Sequence, residues 1–482
     1  MSTPTQNSNI TLVRGLGLIA AISIVIGNVI GTGVFLKTRV MTCNVGTPGM
    51  VLAVWVAAGL LSLAGALTYA ELAAMMPRAG GEYVFVREAY GRRWGFLYGW
   101  MQFFIAKTGS QAALGVGFAI FLNILTGGGL NTRFFTLDLA GFEVPFGMLQ
   151  VLALSVIAVL TLINCVAVSV SGQVAAVLTG MKIALVIGVG AGAFMLAEGD
   201  WTNFALVNAG GTCEGVDAAA RAGFAGFGAA MLGALWGYDG WNNLTLVAGE
   251  VREPQRNIPL ALIGGMIVIT LLYIFVNAAY FYVLTPTEVA SVPAASSVAT
   301  EVAKRFLGAA AVSLVAAALL FSTVGTLHTS ILTGARVPYA MSRDGLFFQS
   351  LARLSPRSRV PIGALLVQAV WAGVLALSGS YDALTDYVIF ASWIFYGLTT
   401  ASVFIFRRRL PDAERPYRTW GYPVVPALFL LVTGWLLLNT LLTAPRQSLT
   451  GLALIALGLP VYWYWSRHNR LASSDTSAIG RE

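Results

Sequence analysis

Long apolar stretches separated by short polar loops run through almost the whole sequence. Most of these stretches reach the roughly 20 residues that a helix needs to cross the hydrocarbon of a bilayer. They lie at residues 16–36, 49–76, 94–125, 146–168, 174–196, 224–247, 258–284, 307–341, 361–378, 384–406, 422–442 and 448–466. The pattern predicts an all-α polytopic membrane protein with 12 transmembrane helices.

Two of the apolar stretches are interrupted by glycine, amide and carboxylate residues. The first carries Gly27-Asn28-Val29-Ile30-Gly31-Thr32-Gly33, and the other carries Leu235-Trp236-Gly237-Tyr238-Asp239-Gly240-Trp241-Asn242. Glycine lets a helix unwind cheaply, and unwound backbone survives at membrane depth only where it lines a cavity or is buried in protein. Because Gly27 and Gly31 also have the spacing of a helix-contact motif, the first stretch alone would favour close packing. Two broken helices, one opening each half of the chain, instead indicate an inverted-repeat transporter whose substrate binds at the breaks.

Composition agrees with a membrane protein and sets its orientation. The 482 residues are 57% hydrophobic and only 10% charged, with a mean hydropathy of +0.77. The net charge of +8 does not indicate nucleic acid, because the cations are spread over short loops. Of the 29 Lys and Arg residues, 20 fall in loops on one side and 7 on the other, which places both termini in the cytoplasm. We therefore expect a multi-pass protein of the cell (inner) membrane, without a cleaved leader.

Three cysteines are too few for a disulfide framework. Cys165 falls in or beside the fourth span, whereas Cys43 and Cys213 fall in predicted outer loops. These two could pair in an oxidising compartment, but the sequence does not set their distance. We expect them to remain free.

Two lysines lie inside predicted spans, where a charge is costly and should face the interior with a partner. For Lys107 the best unpaired candidate is Asp239, and the alternative is that it snorkels to the surface. Lys182 could donate to carbonyls freed by the first break, in the place where another transporter binds Na⁺. Its alternative is to reach the inner interface.

Glu71 and His328 are further candidates for proton or polar sites. Glu71 lies near a helix end, where a carboxylate is more often a surface anchor or an ion-pair partner than a proton carrier. His328 lies among hydroxyl side chains, so a helix–helix hydrogen bond weighs about equally with a proton site.

Five motifs carry a resemblance to a known family. They are Gly27 to Gly33, Pro77-Arg78-Ala79-Gly80-Gly81-Glu82-Tyr83, Trp236 to Asn242 with residues 249–259, Arg336-Val337-Pro338-Tyr339-Ala340-Met341-Ser342-Arg343-Asp344-Gly345, and Arg415-Pro416-Tyr417. Together they resemble the amino acid–polyamine–organocation (APC) superfamily, and most of all the bacterial members of its L-type amino acid transporter branch. The resemblance implies a LeuT-like 5+5 inverted repeat with two additional C-terminal helices. It also implies sodium-independent amino acid exchange.

The resemblance divides the single transporter domain, residues 1–482, into parts. Repeat one covers about 12–200, repeat two about 220–410 and the two extra helices about 420–467, followed by a cytoplasmic tail at 468–482.

The resemblance also implies which residues bind substrate. Backbone amides of Thr32 and Gly33 would hold the carboxylate, and carbonyls around Val29, Ile30, Trp236 and Gly237 would hold the ammonium. Trp236 would be the aromatic gate, and Lys182 the lysine that replaces a sodium ion. Gly31 and Asp239 belong to the same two breaks, and Asn242, Ser392 and Trp393 would complete the side-chain wall with Trp236.

Departures from the family pattern limit what it implies. Animal members read Arg-Pro where this chain has Lys107-Thr108, and the loop at about 126–146 lacks the cysteine through which they attach a glycoprotein. We therefore expect a stand-alone carrier, with amino acids and the lipid bilayer as its partners. Asp239 does not decide between neutral substrates and neutral plus cationic ones.

The sequence shows no chemistry typical of an enzyme. It has two histidines, no metal-ligand cluster and no nucleotide loop, so we expect no cofactor, no metal and no enzymatic activity. The rival interpretation on the same fold is a proton-coupled amino acid symporter that uses Glu71, Asp239 or His328.

Overall fold

The chain is helical along most of its length. The computed structural model describes residues 12–139, 142–166, 168–293, 296–378, 381–443 and 445–466. Within them the helices are α1 (Leu18–Val29), α2 (Gly33–Val45), α3 (Pro48–Met75), α4 (Glu82–Tyr90), α5 (Arg92–Met101), α6 (Lys107–Leu125), α7 (Met148–Asn164), α8 (Val168–Leu196), α9 (Gly223–Tyr238), α10 (Asn243–Leu246), α11 (Pro254–Val283), α12 (Pro286–Ala290), α13 (Val298–Leu307), α14 (Ala310–Gly334), α15 (Arg336–Arg343), α16 (Ile362–Ser378), α17 (Tyr381–Arg409), α18 (Val424–Thr443) and α19 (Pro445–Ala456). A π-helical turn, Gln102–Ala106, joins α5 to α6.

Membrane-spanning helices account for most of this structure. In the described part of the chain, nine helical stretches are long and apolar enough to cross a bilayer: Leu18–Val45, Pro48–Met75, Arg92–Leu125, Val170–Leu196, Pro254–Val283, Ala310–Arg343, Val388–Arg409, Val424–Leu442 and Ser448–Ser466. Two further apolar helices, Met148–Asn164 and Ile362–Leu377, are shorter. The predicted stretch at 224–247 is divided between α9 and α10. The prediction of a polytopic membrane protein is confirmed.

A β-hairpin corrects the all-α prediction. Strands β1 (Arg133–Leu139) and β2 (Phe142–Gly147) pair antiparallel, with Thr136 opposite Pro145. They belong to the loop between α6 and α7. Phe and Thr favour strands, and a segment outside the hydrocarbon is not restricted to helix.

A disulfide joins Cys43 to Cys213, so the expectation of free thiols was wrong. The Cα atoms lie 5.7 Å apart, although 170 residues separate the two cysteines in sequence. The loop before α9 folds back over the end of α2, where Asn208 N–H donates to Gly46 O at 2.7 Å. The Cys213 N–H also donates to Ala290 O at 3.1 Å. Cys165 is a free thiol.

The two helix breaks meet in the interior. Helix α1 ends at Val29 and α2 begins at Gly33, while residues 239–242 separate α9 from α10. A Cβ added to Gly33 would lie 2.5 Å from Gly237 Cα, so the two breaks are in direct backbone contact. Gly240 has φ +102°, a conformation that side chains other than glycine rarely adopt. This contact brings the break in the first half of the chain against the break in the second half.

Candidate binding site at the two helix breaks

A small cavity of about 30 Å³ lies between the breaks, which is enough to hold a water molecule. Its lining consists of Asn28, Val29, Gly31, Thr32, Gly33, Lys107, Ser110, Leu114, Trp236, Asp239, Gly240, Asn243, Thr326 and Ser330. It therefore brings together six predicted substrate residues, namely Val29, Gly31, Thr32, Gly33, Trp236 and Asp239. An amino acid needs more space than this cavity offers.

The start of α2 supplies backbone donors at this cavity. The first N–H groups of a helix have no acceptor within it, and the helix dipole favours an anion there. Helix α2 begins at Gly33, which lines the cavity beside Thr32. A carboxylate is the substrate group that suits this helix end.

The carbonyls predicted to hold an ammonium already accept hydrogen bonds. The Tyr273 hydroxyl lies 3.0 Å from Val29 O and 2.9 Å from Gly237 O, so its single proton is shared between a carbonyl of each break. Ile30 O accepts from Thr326 Oγ1 at 3.3 Å, and Trp236 O accepts from the Asp239 N–H at 3.2 Å. A carbonyl keeps a second lone pair, which is what these groups can offer a ligand.

Sequence reasoning missed Tyr273. It lies in the middle of α11, where nothing in the apolar pattern marks it as different from other aromatic residues.

Lys182 contacts the last turn of α1. Its ammonium donates to Gly27 O and to Thr326 Oγ1, both at 2.6 Å, and the side chain is 2% exposed. Gly325 makes room for it, since a Cβ there would lie 2.8 Å from Lys182 Cε. The lysine thus points to the first break rather than to the inner interface.

Lys107 does not pair with Asp239, contrary to expectation. Its ammonium donates to Asn243 Oδ1, and Asn243 Nδ2 donates to Asn28 Oδ1 at 2.9 Å. Asp239 Oδ1 instead accepts from the Tyr396 hydroxyl at 2.7 Å. Lys107 is 6% exposed, so it does not snorkel either. Both charged groups line the cavity, each held by a neutral partner.

Of the predicted side-chain wall, Trp236 lines the cavity, whereas Asn242, Ser392 and Trp393 lie outside its lining. Asn242 Nδ2 donates to Glu82 Oε2 at 2.7 Å, and Trp393 stacks on Phe429 at 5.5 Å between ring centroids. Asn242 nonetheless belongs to the second break, where its Oδ1 lies 3.3 Å from the Tyr396 hydroxyl.

Ile30 and Gly237 also lie outside the cavity lining, although both belong to the breaks. Tyr396 was missed, yet it lies one helical turn after Ser392, a spacing that could have revealed it.

Glu71 and His328 make interactions within the protein. Glu71 forms ion pairs with Arg407 at 2.8 Å and Arg415 at 3.4 Å, which matches the ion-pair interpretation. His328 Nε2 lies 3.2 Å from Ser171 O, and its Nδ1 lies 3.1 Å from Asn164 Nδ2. That geometry suits a neutral imidazole that donates from Nε2 and accepts at Nδ1. It corresponds to a helix–helix hydrogen bond.

Comparison with known proteins places this site in a family. The family model described as amino acid permease matches residues 16–463. The serine/threonine exchanger SteT of Bacillus subtilis (strain 168) is 32% identical over 457 residues, covering 94% of this chain and 97% of the relative. The b(0,+)-type amino acid transporter 1 of Homo sapiens is 31% identical over 456 residues, covering 94% and 88%.

A further relative is the large neutral amino acids transporter small subunit 2 of Homo sapiens, 29% identical over 470 residues that cover 97% of this chain and 83% of that protein. All three relatives are transporters, none of them an enzyme. The chain belongs to the amino acid permease family, on the L-type amino acid transporter branch of the APC superfamily.

Proposed function

We propose that this chain is a sodium-independent exchanger of neutral amino acids in the cell membrane. It has 12 transmembrane helices in a LeuT-like 5+5 inverted repeat plus two C-terminal helices, with both termini in the cytoplasm. The broken helices are α1 with α2 and α9 with α10. The name of the serine/threonine exchanger among its relatives supports exchange as the activity.

Lys182 is the observation that carries sodium independence. Its ammonium lies 2.6 Å from the carbonyl of Gly27, at the end of α1, and from the hydroxyl of Thr326. Carbonyl and hydroxyl oxygens are ligands of the kind that discontinuous helices offer to a coupling ion. A cation fixed to the chain stabilises these oxygens without crossing the membrane, so sodium is not needed.

The substrate binds with its head group at the breaks. The amides of Thr32 and Gly33 hold the carboxylate, the remaining lone pairs of the break carbonyls hold the ammonium, and Trp236 covers the cavity as a gate. In the described part of the chain, Lys107 and Asp239 are the charged residues of the cavity, and their charges cancel. A substrate with a neutral side chain keeps the net charge of the cavity at zero, whereas a substrate with a cationic side chain adds an uncompensated charge.

Exchange follows if the empty carrier crosses slowly. The head group of the substrate uses the hydrogen-bonding capacity that backbone groups at the breaks keep in the empty carrier. The barrier between the outward-open and inward-open states is therefore lower for the loaded carrier. The return step then requires a second substrate.

We infer that the carrier works without a covalently attached subunit. One relative is named as a small subunit. The loop at 126–146 of this chain contains no cysteine for an attachment.

Counterflow in proteoliposomes tests the proposal. Uptake of labelled amino acids is measured with and without an unlabelled internal pool, in choline or sodium medium, at matched and unequal pH. We expect uptake only in preloaded vesicles, unaffected by sodium. Accumulation in empty vesicles under an inward proton gradient would instead establish the symporter, and Asp239 would be its first candidate site because it lines the cavity, whereas Glu71 and His328 lie outside the lining.

A further inference from the structure

Glu82 is a buried carboxylate at the start of α4. Its side chain is fully buried and accepts from the Tyr69 hydroxyl at 2.7 Å, the Tyr98 hydroxyl at 2.6 Å and Asn242 Nδ2 at 2.7 Å. The ion pairs formed by the described residues do not include it. Burying a carboxylate is costly, and three charge-assisted hydrogen bonds offset that cost.

The turn before Glu82 packs against α10, the short helix that follows the second break. Gly80 N–H donates to Leu246 O at 2.9 Å. Gly81 has φ +43°, and a Cβ there would lie 2.5 Å from the carbonyl carbon of Thr245. Gly81 therefore lies too close to α10 to be replaced by a residue with a side chain. Glu82 is thereby held against the residues that follow Asp239.

A chain of hydrogen bonds leads from Glu82 to the cavity. Asn242 donates to Glu82 through Nδ2, and its Oδ1 lies 3.3 Å from the Tyr396 hydroxyl. That hydroxyl has one proton, which points mainly to Asp239 Oδ1 at 2.7 Å and is shared with the more distant Asn242 Oδ1. Asp239 lines the cavity. Since a carboxylate only accepts, Glu82 selects the orientation of the Asn242 amide, and that orientation presents Oδ1 to Tyr396.

We propose that Glu82 is a positioning residue for transport, which acts through Asn242 and Tyr396 to hold the Asp239 carboxylate at the substrate cavity. It does not touch the substrate. The proposal rests on the proposed function, because it takes the cavity between the breaks as the site of transport. Glu82 belongs to the Pro77 to Tyr83 motif and lies outside the cavity lining.

The test compares Glu82→Gln with Glu88→Gln in preloaded proteoliposomes, using labelled serine. Glu88 lies on the same helix but is exposed and paired with Arg87, so its substitution controls for loss of a carboxylate from α4. Glutamine replaces charge-assisted hydrogen bonds by neutral ones. It can also donate, so the Asn242 amide can flip and exchange the positions of its Oδ1 and Nδ2. We expect Glu82→Gln to raise KM about tenfold with the maximal rate changed less than about threefold, and Glu88→Gln to leave both unchanged.

A double-mutant cycle separates positioning from a structural role. Tyr396→Phe breaks the same chain, so adding Glu82→Gln to it should raise KM no further. The proposal would be overturned if the two substitutions raised KM additively in the double variant. It would also be overturned if Glu82→Gln left KM unchanged and lowered the rate only in proportion to the amount of folded protein. Absence of counterflow in the unsubstituted protein, tested with a mixture of amino acids, would refute the proposed function instead.

Discussion

Lys182→Met removes the ammonium at the first break while keeping most of the apolar stem. The two hydrogen bonds at 2.6 Å to Gly27 O and Thr326 Oγ1 are lost. The Thr326 hydroxyl, which lies 3.2 Å from Gly27 O, 3.3 Å from Ile30 O and 3.2 Å from Ser322 O, can donate its single proton to one of them. The perturbation is therefore confined to the charge and its contact with α1.

The expected loss follows from the strength of that contact. A hydrogen bond to a charged group contributes about 1.5 to 3 kcal/mol, which corresponds to roughly a ten- to hundredfold change in an equilibrium. The variant no longer has to bury an ammonium whose partners are a carbonyl and a hydroxyl rather than a carboxylate, and this gain offsets the lost hydrogen bonds. The free energy of unfolding should therefore change little. We expect transport at zero sodium to fall by about ten- to a hundredfold, with the melting temperature nearly unchanged.

The assay is serine counterflow in choline medium, paired with thermal unfolding in detergent. Lys304→Met is the control, because Lys304 is exposed and pairs only with Glu301 at 2.9 Å. Sodium added to the Lys182→Met protein should restore part of the rate, since the vacated oxygens can then bind an ion. Unchanged kinetics in the variant would refute the role of Lys182.

Three further predictions concern the backbone and the covalent link. Gly33→Ala should abolish transport, because its Cβ would lie 2.5 Å from Gly237 Cα and force the breaks apart; counterflow measures this. Tyr273→Phe should lower the free energy of unfolding by about 1 to 3 kcal/mol and reduce transport, because it removes the donor shared by both breaks. Cys43→Ser should destabilise by up to about 5 kcal/mol, because the link to Cys213 closes a 170-residue loop; thermal unfolding with and without reductant measures this.

Matched controls make these outcomes decisive. Gly264→Ala adds a Cβ with nothing within 4 Å and should leave counterflow intact. Cys165→Ser should not change the response to reductant, since that thiol is free. A functional Gly33→Ala protein, a Tyr273→Phe protein of unchanged stability, or a Cys43→Ser protein that still melts lower on reduction would contradict the respective prediction.

The sequence by itself determined the environment of the chain and the position of its breaks. A helix must satisfy its own backbone in hydrocarbon, so long apolar stretches mark the spans, and glycines beside Asn28 or Asp239 mark where the helix ends. These are local properties. Residue patterns therefore predicted breaks within Gly27 to Gly33 and within Leu235 to Asn242, and in the structure α1 ends at Val29 and α9 at Tyr238.

Only the tertiary structure decided which groups meet. The partner of Lys107 is Asn243 rather than Asp239, and Tyr273 bridges two breaks that lie far apart in sequence. Spacing along one helix shows which face a residue occupies, but not the neighbour that packs against that face. The direction of a side chain in a bundle depends on helix rotation and on the partners available within about 3 Å, which are set by the whole fold.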